Sequence, residues 1–403
     1  ELGVCATAAE VVDCQIGKPD FIFTNWFHYD GIAQYYRLPV FSDAYNRIVD
    51  RFIESAVAHG MNMLLIPLFT PPLDTRVGQE RLTVQLVDVT VKKGKYTFGF
   101  DRLLAYMRRV QKLGIEYFEM SHLFTQWGAA AAPKVVADVD GEKKRIFGWD
   151  TPAVGGAYER FLSAFLPALR TALVEAGLYR ACRFHVSDEP SDTGIEQYAA
   201  ARALFKRHLP DAPLMDAVSH YAFYESGLVD VPIVATNAIQ TFLDHNVEKL
   251  WAYSCCVQGS NYLSNRFIAM PGERTRVIGL QLFLNNCVGF LHWGYNFYNT
   301  QNSDEPIDPY AVNDACGAFP SGDSFIVYPG AEGPIDSVRH ELTAAAWRDL
   351  ALMQRLAEKV GRPTAEKLLT DNGFGKNFTE YPHDSTALRN IRDTALSMLA
   401  GRE

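Results

Sequence analysis

The sequence predicts an α/β chain folded as a (β/α)8 (TIM) barrel with long βα-loops and a C-terminal helical extension. Three observations carry this expectation. Eight short apolar runs recur along the chain, helical stretches separate them, and no repeat at a solenoid period competes. At 403 residues the chain is long enough for two or three domains, but single α/β barrels reach this length with insertions.

Taken in order, residues 1–18 are weakly patterned and read as an N-terminal extension or a linker from a preceding domain. The barrel is expected over 19–360 and a helical tail over 361–403. Residues 21–26 form an apolar run typical of a strand buried on both faces, with Asn25, Trp26, His28 and Asp30 at its end. Ser42-Asp43 caps a helix that Gly60 stops. Residues 61–67 make the second strand, and the long loop after it carries Pro71-Pro72, Gly78 and a hairpin near Gly94. A helix over 101–113 leads to a third strand over 115–120, whose loop holds His122, Gln126 and Trp127. Residues 129–150 read as an insertion, and 158–176 as a helix stopped by Gly177.

The fourth strand, about 181–187, ends on Asp188-Glu189-Pro190. A helix (194–208) and strands near 213–218, 232–236, 250–255 and 288–293 follow, with a helix at 272–285 before the last. A helix from Ser337 to about Val360 closes the barrel, and the polar last forty residues are expected outside it.

Composition narrows the function. Hydrophobic residues at 48% and charged residues at 21% suit an ordinary globular protein. A net charge of -9 without a basic block argues against nucleic acid. No apolar run approaches a membrane span. Seven cysteines show no metal-ligand spacing, and the odd count favours free thiols over a disulfide framework. Free thiols and the lack of a visible signal peptide lean cytoplasmic. Export stays open, because a chain beginning at Glu1 reads as processed or excised. Aromatics at 12% fit a sugar-stacking pocket and a large core equally well.

Active sites of this fold lie at the C-terminal ends of the strands. Those ends carry Trp26/His28/Asp30, His122/Gln126/Trp127, His185/Asp188/Glu189, His220/Tyr221, Asn237, Tyr253 and His292/Trp293/Tyr295/Asn296. By alternation Arg183, His185, Ser187 and Glu189 face the axis, and Pro190 forces a turn at Asp188 that brings both carboxylates to one mouth. Like charges this close raise the proton affinity of one partner, which suits an acid that protonates a leaving oxygen. The same pair also reads as a solvated helix cap. His122, His185 and His220 with Asp188 offer a rival metal site, yet no His-x-His spacing supports it, so neither metal nor cofactor is expected. Glu119, a further strand carboxylate, reads as a third acid or as a partner for Arg183.

With these residues in view the chain resembles glycoside hydrolase family 123, the β-N-acetylgalactosaminidases, and the related DUF4091 barrels. The resemblance is carried by Trp26-Phe27-His28-Tyr29-Asp30, His59-Gly60-Met61-Asn62, Pro67 to Asp74, Ser121 to Ala129 and His185 to Pro190. It continues through Ser264-Asn265-Arg266-Phe267, His292 to Tyr298, Phe319 to Asp323 and Tyr328-Pro329-Gly330. It implies a retaining exo-hydrolase of β-GalNAc-terminated glycans or glycoconjugates, in which the substrate's 2-acetamido oxygen forms an oxazolinium. Asp188 would then orient the acetamido group and Glu189 would act as acid and base. The resemblance further implies an acetamido pocket walled by Trp293, Tyr295 and Tyr298, with His28, His122, His185 and Arg266 on sugar hydroxyls. Trp26, Tyr253 and His292 complete the expected binding set. The alternatives are a glycosidase of other specificity using two ordinary carboxylates, with Glu119 as the partner, and a non-catalytic carbohydrate-binding barrel.

Overall fold

The computed structural model describes Val11 and residues 13–401. Residues 1–10 and 12, and with them most of the expected 1–18 extension, lie outside the described residues. Eight parallel strands form the expected barrel: β1 (Ile22–Asn25), β2 (Met63–Ile66), β3 (Tyr117–Met120), β4 (Cys182–Phe184), β5 (Met215–Ala217), β6 (Val231–Ala235), β7 (Trp251–Ser254) and β8 (Gly289–His292). They pair in the order β4-β3-β2-β1-β8-β7-β6-β5, and a single parallel bridge, Phe184 to Leu214, closes the ring.

Side-chain alternation divides the molecule into two apolar layers. Met63 and Leu65 of β2, Ile233 and Ala235 of β6, and Trp251 and Tyr253 of β7 fill the barrel interior. Leu64, Ile66, Val234 and Ala252, one residue out of phase, face the surrounding helices. Those helices include Asp43–Ala58, whose N-cap Ser42 accepts the Tyr45 amide, and Val338–Val360, whose N-cap Ser337 accepts the His340 amide. The C-terminal segment packs on the barrel through helices Arg362–Asp371 and Ser385–Ala400, the latter burying Leu388, Ile391, Ala395 and Leu399. Among the described residues no helix is long and apolar enough to cross a membrane.

Three expectations need correction. Strand β4 stops at Phe184, three residues before the expected end, because the chain beyond it trades ladder bonds for side-chain ones. The helix expected over 272–285 is two, Gly272–Arg276 and Ile278–Leu284. Residues 129–150 are more than a small-residue insertion. The hairpin of Val135–Val139 and Glu142–Phe147 joins the hairpin of Asp88–Lys92 and Lys95–Gly99 in a four-stranded sheet. Both turns, Lys93-Gly94 and Asp140-Gly141, take positive φ at both residues, as two-residue hairpins require. This side sheet ties the β2 loop to the β3 loop.

Gly289 of β8 stands in register with Trp251 of β7, and a Cβ there would lie 2.1 Å from the indole. Gly289→Ala is therefore expected to destabilise the barrel by about 1–3 kcal/mol through overpacking, read as a lower urea midpoint at unchanged m-value.

Candidate active site

At the C-terminal mouth the loops after β2, β3 and β4 are laced together. The Trp127 amide donates to the Asp188 carbonyl at 2.7 Å. Ser187 donates its hydroxyl to the Thr125 carbonyl at 2.8 Å and accepts the Ala129 amide at 3.2 Å. The bends are tight: Asp74, Trp127 and Glu189 have φ of 39°, 63° and 40°. Side-chain-bearing residues adopt this region infrequently, at a cost of order 1–3 kcal/mol each. The lacing supplies what holds them there. It also relocates the turn: the sharp bend falls on Glu189, which is exposed, while Asp188 is the more enclosed acid.

Between these loops lies a cavity of about 200 Å³. Its carboxylates are Asp74, Asp188 and Glu189, its aromatic walls are Trp26, Trp127, Tyr253, Trp293 and Phe319, and Gln126 and Gln301 also line it. Drug-sized ligands occupy several hundred Å³, so this space suits one sugar ring. The walls are pinned from behind. Trp26 donates its indole N–H to Glu119 at 2.8 Å, and Trp293 donates to Asp323 at 2.8 Å. The Tyr253 hydroxyl donates to Glu189 Oε1 at 2.5 Å.

Beneath the cavity sits a sealed ion cluster. His185 bonds Glu119 through Nε2 at 2.7 Å and Asp216 through Nδ1 at 2.9 Å, with all three side chains fully buried. Glu119 also accepts the Thr24 hydroxyl at 2.6 Å. Asp216 also accepts the Tyr198 hydroxyl at 2.5 Å and the Val186 amide at 3.1 Å. Burial alone would lower the His185 pKa, but the bonds to Asp216 and Glu119 and their charges prevail and raise it to about 10. His185 is therefore a cation at neutral pH. His122 stacks on it at 4.2 Å with no hydrogen-bond partner for either ring nitrogen among the described residues, and burial and the His185 charge hold it neutral. His122, His185 and Asp216 have the spacing of metal ligands, yet both His185 nitrogens are already taken by carboxylates.

Asp188 has its carboxyl raised well above the usual range, first by burial and then by the charge of Glu189. Asp188 thus holds a proton more tightly than an isolated carboxyl does.

The sequence-predicted residues divide into three groups. Trp26, Asp188, Glu189, Tyr253 and Trp293 line the cavity. His122, His185, His292 and Arg266 lie buried behind it; Arg266 donates to His292 Nδ1 at 2.7 Å and to the Gly294 carbonyl at 2.5 Å. These four, expected to bind substrate, stand behind the wall rather than on it. His28, Tyr295 and Tyr298 are not at the cavity. His28 is wedged between Arg81 and the Trp293 carbonyl, and burial and then Arg81 lower its pKa to about 3. Tyr295 and Tyr298 are core residues whose hydroxyls donate to the Phe52 and Val327 carbonyls. The chain after β8 turns outward, so aromatic residues close in sequence to Trp293 point into the helical layer. Two further readings change. Glu119 pairs with His185, and Arg183, expected at the axis, lies over the Tyr117 ring and bonds the Arg180 and Cys182 carbonyls. Asp74, Gln301, Phe319, Cys255 and Cys256 also line the cavity without having been picked out as site residues. Asp74, Gln301 and Phe319 come from long loops without periodicity; an acid or an aromatic close to proline marks Asp74 and Phe319, and nothing in the sequence marks Gln301.

Residues 26–356 match the family described as "Glycoside hydrolase 123, catalytic domain". Among solved structures the chain is similar to a family 123 glycoside hydrolase from Clostridium perfringens studied for glycolipid glycan hydrolysis, with TM-score 0.69 and 13% identity over 98% of this chain and 70% of that one. An exo-β-1,4-mannosidase from Opitutaceae bacterium strain TAV5 is more distant, with TM-score 0.46 and 10% identity over 83% of this chain and 60% of that one. A family 5 mannosidase from Rhizomucor miehei gives TM-score 0.42 and 11% identity over 87% and 94%. No curated protein matches the sequence.

Two outcomes follow from the electrostatics. Glu119→Gln removes one counter-charge from the buried His185 cation and should cost about 3–5 kcal/mol, measured by urea denaturation. Asp188→Asn should raise the melting temperature at pH 7. A carboxyl whose folded pKa lies above its unfolded value favours the fold fully only below the unfolded pKa, and that contribution is lost as pH rises through the folded pKa. The gain over wild type should therefore shrink at pH 4, as paired melting curves would show.

Proposed function

The chain belongs to glycoside hydrolase family 123 and is a glycoside hydrolase, and from that premise we propose that it releases terminal β-linked N-acetylgalactosamine from glycans or glycoconjugates with retention, the sugar's 2-acetamido oxygen serving as nucleophile. The observation that carries this reading is the placement of Asp188 and Glu189 side by side on the wall of a cavity of about 200 Å³. Two ordinary carboxylates acting as acid and nucleophile must flank the anomeric carbon, about 5–5.5 Å apart on opposite faces of the ring. Adjacent residues on one turn do not flank it. The Glu119 of the alternative reading is sealed under Trp26 and engaged by three donors.

The chemistry uses the coupled pair. Before sugar binds, burial and the Glu189 charge favour a proton on Asp188. An acetamido N–H packed against Asp188 favours its carboxylate instead, so the proton passes to Glu189, where the leaving oxygen needs it. The acetamido oxygen attacks the anomeric carbon while Glu189 protonates the glycosidic oxygen, and Asp188 balances the positive oxazolinium. Glu189 then takes a proton from water as the ring opens. Tyr253 is the tyrosine of this cavity and, from its place beside Glu189, is the candidate to hold the acetamido carbonyl. Trp26 and Trp293, each fixed by a buried carboxylate, supply apolar faces for the pyranose.

A side-by-side assay of aryl β-GalNAc, β-GlcNAc, β-Gal and α-GalNAc tests acetamido dependence, C4 configuration and anomer. Release from aryl β-GalNAc and inhibition by a thiazoline mimic of the oxazolinium are expected. Asp188→Asn and Glu189→Gln should each lower kcat by about 10²–10⁴-fold, the Glu189 variant most on poor leaving groups. Full activity of Asp188→Asn, or equal turnover of the substrate lacking the acetamido group, would sink the assisted mechanism.

A further inference from the structure

The cavity holds three carboxylates, and among the described residues that line it there is no lysine, arginine or histidine. The guanidinium groups nearby are committed elsewhere. Arg81 is paired with Asp30 and bonds the Leu73 carbonyl. Arg76, two residues from Asp74, grips Asp304 through two of its nitrogens. Arg266 is buried behind the wall on His292 and the Gly294 carbonyl.

Asp74 is held from several sides. Its amide donates to Gln126 Oε1 at 2.5 Å, its carbonyl accepts the Ser303 hydroxyl at 2.7 Å, and its Oδ2 accepts the Asn302 amide at 3.1 Å. Its other carboxylate oxygen has no protein donor among the described residues. Asp74 lines the sugar-sized cavity, and a carboxylate oxygen left without a protein donor is an acceptor for ligand hydroxyls. Asp74 comes from the β2 loop, whereas Asp188 and Glu189 come from the β4 loop. With the acid pair occupied at C1 and C2, as the proposed function requires, Asp74 falls to the hydroxyl edge of the ring.

We infer that Asp74 is a specificity-determining residue that accepts hydroxyls of the terminal sugar, and that this carboxylate-lined cavity admits neutral, unsulfated N-acetylgalactosamine and rejects its sulfated forms. This rests on the proposed function for the sugar and on the charge of the lining for the discrimination. A sulfate ester on O4 or O6 brings a fixed negative charge toward Asp74 with no lysine, arginine or histidine among the described lining residues to meet it, and like charges in a partly desolvated site repel strongly. Burial, partly offset by Arg81, raises the Asp74 carboxyl to about 6, so it remains largely anionic at pH 7 and above.

The test compares kcat/KM for aryl β-GalNAc with that for its 4-sulfate and 6-sulfate, in wild type and Asp74→Asn, at pH 7.5. The expected result is a loss of at least roughly 100-fold for either sulfate in wild type. In Asp74→Asn the neutral substrate should show a KM roughly tenfold higher with a smaller change in kcat, and the penalty for sulfate should narrow. Sulfated substrates turned over within a few-fold of the neutral one, or an unchanged KM in Asp74→Asn, would overturn the inference. A separate arm measures the thermal shift of the wild-type protein with free GalNAc and with GalNAc 6-sulfate, and needs no turnover. Stabilisation by the neutral sugar alone supports the inference, and equal stabilisation by both overturns it. If aryl β-GalNAc is not cleaved and another glycoside of the panel is, the proposed function fails. The charge discrimination is then judged on that glycoside and its 6-sulfate.

Discussion

An imidazolium held between two carboxylates lies at the base of the mouth, and much of the site depends on it. His185 begins where strand β4 runs out, so Val186 has no ladder partner on β5 and gives its amide to the Asp216 side chain. That bond sits beside the single bridge, Phe184 to Leu214, that closes the barrel. The same His185 cation holds Glu119, and Glu119 holds the Trp26 indole. Barrel closure and the position of an aromatic wall therefore share one buried charge cluster. A buried cation is expensive unless every donor is met, and here both ring nitrogens are.

The acid pair is built on strain rather than on regular structure. Three residues of the cavity, Asp74, Trp127 and Glu189, take backbone conformations that L-residues adopt infrequently, and all three come from loops tied to one another. The side sheet braces the β2 and β3 loops, and the Trp127 amide on the Asp188 carbonyl carries that bracing to the acids. A site made this way costs stability, and the raised Asp188 carboxyl adds to the cost. What it gains is two carboxyl groups side by side on the wall of one small cavity.

Much of this was legible in advance, for reasons that differ by residue. Leu64-Leu65 and Trp251-Ala252 alternate between interior and helical layers, and alternation is a local property. Asp188 and Glu189 are adjacent in the chain just beyond a strand, so their meeting at the mouth needed no long-range information. The family resemblance implies Tyr295 and Tyr298 as walls of the site beside Trp293. Sequence nearness does not say which way a loop turns, and these hydroxyls end on Phe52 and Val327 in the outer layer. Glu119 is visible in the sequence as an anomalous strand carboxylate, read as a third acid or as a partner for Arg183 on the neighbouring strand. The pairing with His185 depends on where β4 leaves the ladder.

By itself the sequence determined the eight-strand count, the helical spacers, the acid pair and the family. Apolar periodicity, glycine and proline punctuation, and residues adjacent in the chain are all written locally. Only the tertiary structure decided that His185 is a buried cation and that Asp74 joins the acids. It also decided that Trp26 and Trp293 are walls fixed by Glu119 and Asp323. Each of these depends on groups dozens to hundreds of residues apart. Their charge states and partners exist only once the barrel closes and excludes water between them.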